Sequence, residues 1–137
     1  MNTKYLSPDE LRVVKSILSP LSAQAKFSLS LDGLLQRWDE FVARVERGYG
    51  DSIYEYTNDL GTRDVIQQLL LGVSEPLRRK LIALIKSNDD RFYQATREVN
   101  RALTGGKNIE ERPWWFRVPR HIGKELENDL RSEGFLE

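Results

Sequence analysis

The chain has 137 residues, a formal net charge of zero, 39% hydrophobic and 31% charged side chains, and no cysteine. That length supports one core of ordinary size, and that composition excludes a disordered chain. Without a thiol, disulfides and thiolate chemistry are excluded, and no run of about 18 apolar residues reads as a membrane span.

Ser7-Pro8-Asp9-Glu10 opens the first predicted helix: Ser7 can cap, Pro8 sits where its missing N–H costs nothing, and Glu10 completes a capping box. Leu11, Val14, Ile17 and Leu18 form its apolar face, and Ser19-Pro20 is expected to end it. Residues 20–30 read as a polar connector, in which Phe27, Leu29 and Leu31 alternate too briefly for a strand. The N-terminal MNTKYLSPDEL has no apolar core of a secretory signal, so a cytoplasmic protein is expected.

The second helix has the clearest stripe in the chain, Leu31, Leu34, Leu35, Trp38, Phe41, Val42 and Val45, and runs to Arg47. Gly48 suits a left-handed closing residue, and Arg44 and Arg47 suit the negative end of the helix dipole. Ser52 to Glu55 is a second capping box, predicting a short helix over 52–60 closed by Gly61. A helix from Thr62 to Gly72 would follow. Ser74-Glu75-Pro76 opens the next, with a break or kink expected at Asn88-Asp89. A further stripe, Phe92, Ala95, Thr96, Val99 and Leu103, ends at Gly105-Gly106.

Lys107 to Arg120 reads as an extended aromatic segment over the bundle, and Gly123 to Arg131 as a last short helix. The expectation is one all-α domain spanning 1–137: a bundle of five to seven helices with an extended aromatic C-terminal segment.

Charge is unevenly spread. Residues 32–64 carry four basic and eight acidic groups, residues 65–124 twelve basic and six acidic, and residues 125–137 one basic and five acidic. Such blocks either pair within the fold or offer patches to partners.

No metal-ligand set, phosphate loop or catalytic motif is present, and no cofactor is expected. His121 is the only histidine, with Glu125 the one carboxylate at helical spacing from it. Asp39-Glu40, Asp89-Asp90 and Glu110-Glu111 are adjacent carboxylates, which on a helix point apart and suit a solvated surface better than an acid–base dyad. Asp32, Asp39 and Glu46 fall at seven-residue steps on a face expected to be wet.

Two runs stand out. In the first, Tyr49, Asp51, Tyr54, Glu55, Tyr56 and Asp59 put stiff phenols with polar tips among acids, a composition suited to a protein partner of opposite charge. The competing reading is that some of these tyrosines fill the bundle, since Tyr56 and Ile53 share a face with Leu60. In the second, Arg112, Trp115, Arg117, Arg120 and Lys124 interleave cations with aromatics, as a nucleic-acid site would. Here the competing reading is packing, one of Trp114 and Trp115 plugging the core while an arginine covers the other.

The segment Gly50-Asp51-Ser52-Ile53-Tyr54-Glu55-Tyr56, between a helix ending at Arg47 and one starting near Arg63, resembles the partner-binding turn of colicin-type nuclease immunity proteins. Those are helical bundles that neutralise a toxin. The resemblance implies that Asp51, Tyr54 and Tyr56 face the toxin, with Glu55 and Asp59 aiding electrostatically. The chain also resembles uncharacterised bacterial helical proteins with a Gly-Tyr…Tyr-Thr-Asn-Asp-Leu…Arg-Asp pattern and a late Trp-Trp…Arg…Pro-Arg run. The leading expectation is a non-enzymatic inhibitor of immunity or antitoxin type with a cognate toxin as partner. Its alternatives are a nucleic-acid-associated regulator using 112–124 and an enzyme with a carboxylate-only site.

Overall fold

The computed structural model describes residues 6–24 and 29–136. Five α-helices follow in order: α1 (Pro8–Gln24), α2 (Leu31–Arg47), α3 (Ile53–Gly72), α4 (Glu75–Ala95) and α5 (Lys124–Ser132). Between α4 and α5 lie two short strands, β1 (Thr96–Glu98) and β2 (Arg117–Pro119), and two 3₁₀ turns, Ile109–Glu111 and Pro113–Phe116. The strands pair antiparallel, with Thr96 opposite Pro119 and Glu98 opposite Arg117. The architecture is all-α, as the spacing predicts, with a small sheet that the spacing does not predict.

α2 is the central element because its stripe is the widest: all seven expected residues are buried, and it packs on both α3 and α4. Its start is set by Ser30, whose Oγ accepts the Gly33 N–H at 3.1 Å. Its end is set by Gly48, which closes it with φ +109°, a conformation costly for any residue with a Cβ. Trp38, Phe41 and Phe92 stack at 5.1–6.1 Å between centroids, seating α2 on α4. The capping box at the head of α1 forms in both directions, Glu10 N–H to Ser7 Oγ and Ser7 N–H to Glu10 Oε1.

Four local expectations are corrected, each by longer-range packing. Pro20 does not end α1. Its ring faces solvent, while Val14 and Leu18 are buried and Ile17 packs on Gly72, so the helix continues to Gln24. Gly61 does not divide α3. A mid-helix glycine costs about 1 kcal/mol, and the buried Tyr56, Leu60, Ile66 and Leu69 on either side outweigh it. Asn88-Asp89 does not break α4. Both residues turn inward as tethers, Asp89 taking the Trp38 indole N–H at 2.9 Å and the Arg63 guanidinium at 2.9 and 3.1 Å. The stripe from Phe92 to Leu103 is not one helix. Thr96 Oγ1 donates back to Phe92 O at 2.8 Å, and the chain then leaves α4 to pair with β2.

Phe27 lies outside the described residues. Lys107 to Arg120 is not simply extended, since most of 109–116 is wound into the two 3₁₀ turns.

Candidate functional site

Gly48 turns the chain back under the end of α2, and Tyr49 follows it into the core. The Tyr49 N–H donates to His121 O at 3.0 Å and its carbonyl accepts the Gly123 N–H at 2.8 Å, a parallel bridge that fixes the backbone from which the ring enters the core. That ring sits edge-on to Tyr56 at 5.2 Å and to Phe41 at 5.8 Å, fully buried. Tyr56 is equally sealed, because it lies on the same face of α3 as Leu60 and Arg63. Its hydroxyl donates to Arg117 O at 2.8 Å, and the Tyr49 hydroxyl donates to Asp59 Oδ2 at 2.8 Å. Both phenols are pushed well above their ordinary range. Burial is the chief cause in each, reinforced for Tyr49 by the hydrogen bond to Asp59 and for Tyr56 by the charge of Tyr49.

The expectation of a three-tyrosine contact surface is therefore corrected: Tyr49 and Tyr56 are core residues. The acids are also less free than expected. Arg44 bonds Asp59 at 3.1 Å, holds Asp51 on its other nitrogen, and lies over the Tyr49 ring at 4.8 Å.

What remains outside is narrower. Tyr54, two residues from Tyr56 and so on the opposite side of α3, is 80% exposed. Glu55 and Asp51 are exposed beside it. Ser52 Oγ accepts the Glu55 N–H at 3.3 Å, and Asp129 of α5 accepts the Ile53 N–H at 2.9 Å, so two side chains cap the head of α3. This bond brings the two acidic blocks of the chain together, 32–64 and 125–137, which no local pattern announces. Beside Tyr54 a groove of about 520 Å³ runs between α3 and the C-terminal segment, with Ile53, Leu103, Trp115 and Phe135 along it and Arg101 and Glu133 at its edge. The Arg101 guanidinium lies 3.9 Å over the Phe135 ring and donates to Glu133 O, holding the groove's far wall.

The 112–124 run is corrected more fully. Arg112 donates to Asp64 at 2.7 Å and to Lys107 O at 2.9 Å. Trp115 is buried, and so is Trp114; both indole N–H groups reach Asp64, at 2.8 and 2.9 Å. Extended backbone would aim the two rings oppositely, but the 3₁₀ turn brings them to one acceptor, with Arg63 covering Trp114 at 4.6 Å. Arg117 bonds Thr96 Oγ1, Tyr93 O and Thr96 O, and Arg120 bonds Gln94 O. Both thus serve the carbonyl end of α4. Arg120 and Lys124 are exposed, but with Arg112, Trp115 and Arg117 engaged inside, no continuous cation–aromatic surface forms.

On the outer face of α2, Asp32 and Glu46 are exposed as expected and Asp39 is half-buried. Asp39 and Glu46 also bind Arg91 of α4, at 2.7 and 2.6 Å, and the Arg91 hydrogen bond holds the Glu46 carboxyl below its usual range. His121 is exposed, with its main-chain oxygen taken by Tyr49. Among the described residues no three histidine or acidic groups gather as a metal site would require.

Sequence reasoning passed over Asp64 and placed Asp89 on a solvated surface, whereas both are acceptors for buried donors. The available signal was the three tryptophans, since a buried indole N–H needs an acceptor, and all three donate to one of these two carboxylates.

No family model, curated protein or solved structure matches the chain.

Proposed function

We propose that this protein acts by binding another protein, as an inhibitor of immunity or antitoxin type, through the face centred on Tyr54. One observation carries the reading: a tyrosine left 80% exposed at the capped head of α3, flanked by Asp51 and Glu55 and backed by a groove of mixed polar and apolar lining. A large amphipathic ring held on a capped helix offers contact area with little entropy to lose. The acids around it steer a basic partner and disfavour an acidic one. A basic toxin, a nuclease being the kind that the resemblance implies, fits that chemistry.

Action in the cytoplasm fits this role, and no helix among the described residues is long and apolar enough to cross a membrane. The test is affinity capture from the producing cells with the tagged full chain and its Tyr54→Ala and Glu55→Lys variants, followed by titration of the purified partner. The wild type should retain a basic protein, and each variant should lose at least about tenfold in affinity. Capture of nothing, or equal binding by both variants, would end the reading.

A further inference from the structure

Three of the largest exposed apolar side chains among the described residues lie along one groove. It runs between α3 and α4, has a volume of about 440 Å³, and contains Leu71 (67% exposed), Ile82 (44%) and Tyr93 (36%). α3 and α4 are antiparallel neighbours joined by the short Val73-Ser74 connection. Leu71 and Ile82 therefore sit at the end near that connection, and Tyr93 sits at the other, near the Arg63–Asp89 pair. The groove thus has apolar side chains along it and charged ones, Lys86 and Asp90 among them, at its edges, the arrangement of a contact surface with a polar rim. It shares no residue with the groove beside Tyr54.

We infer that a second copy of this chain covers it, in an antiparallel α4–α4 packing about a two-fold axis level with Asn88. The argument is self-complementarity, the condition that a two-fold interface imposes: if residue i meets residue j, then j meets i. Two exposed pairs on α4 meet that condition, one in charge and one in size. Lys86 and Asp90, one turn apart and joined at 2.7 Å within the helix, are both exposed on the rim. Antiparallel crossing sets Lys86 of one copy against Asp90 of the other, twice over. The same register sets Tyr93 against Ala83, a large ring opposite a small exposed residue, and slides that ring toward the Leu71 and Ile82 end of the facing groove. Helix–helix contact needs this alternation of bulk and space for close approach.

The experiment is sedimentation velocity with light scattering on the full chain, from low micromolar to several hundred micromolar. It compares wild type with Leu71→Ser, Lys86→Asp, Asp90→Lys and the double exchange Lys86→Asp/Asp90→Lys. Leu71, Lys86 and Asp90 are exposed, so each variant should keep its fold, with circular dichroism as the check. The wild type should pass from monomer to dimer across this range. Leu71→Ser should weaken the dimer by about tenfold or more, as should each single charge reversal. The double exchange should restore association, because the two charges have only traded places. A monomer at every concentration would overturn the inference. So would a dimer indifferent to Leu71→Ser, or a double exchange no better than its single parents. Loss of the Tyr54 partner would leave all these outcomes unchanged.

Discussion

The runs 49–59 and 112–124 have similar compositions, aromatics interleaved with charge, and both fold inward, yet they end differently. In each, one carboxylate serves as an interior acceptor: Asp59 for Tyr49 and Arg44, Asp64 for Arg112, Trp114 and Trp115. The first run crosses from a loop onto a helix, and helical spacing sends Tyr54 and Glu55 outward while Tyr56 goes in. The second is wound into a 3₁₀ turn whose indole groups converge on one point. Aromatics mixed with charges are thus as much the signature of a hydrogen-bonded interior corner as of a contact surface. Backbone geometry decides which.

The largest break in this comparison is expected at Asp64. Asp64→Ala would leave two buried indole N–H groups and a guanidinium without their shared acceptor, a loss of about 3–5 kcal/mol by urea denaturation. A loss under about 1 kcal/mol would mean that Asp64 only decorates the corner.

Next are the sealed phenols. Tyr49→Phe and Tyr56→Phe each remove one donor, leaving Asp59 or Arg117 O short of a partner, and should each cost about 1–2 kcal/mol. These phenols also set a pH limit. Their folded values are raised above the ordinary 10, so the stability tied to the protonated form is complete below pH 10 and falls as pH climbs beyond it. Phenolate absorbance from Tyr49 and Tyr56 should then appear together with unfolding. Gradual ionisation of either ring in a still-folded protein would place it at the surface after all.

The smallest effect on folding is expected at Tyr54. Tyr54→Ala should change stability by no more than about 0.5 kcal/mol, since the ring is mostly in solvent. A larger loss would show that all three tyrosines are structural, and the contrast between the two runs would vanish.

The sequence signals that the structure matches are local: the Ser7–Glu10 box, the stripe from Leu31 to Val45, and Gly48 as a closing residue. These depend on neighbours within a turn or two, which a linear pattern displays. The signals that misled are also local, Pro20, Gly61 and Asn88-Asp89, and each is overruled by contacts distant in sequence. The candidate face lies between these cases. That Tyr56 shares a face with Leu60 is visible in the spacing, whereas the return of Tyr49 into the core depends on a bridge to Ile122, far along the chain.

The hydrogen bond from Ile53 N–H to Asp129 spans 76 positions, and the Tyr49 bridge to Ile122 spans nearly as many. Both clamps on the turn between α2 and α3 are thus supplied from residues 122 and 129. The shape of the face around Tyr54 therefore depends on a segment far along the chain, so a substitution in α5 can alter that face without touching any residue on it.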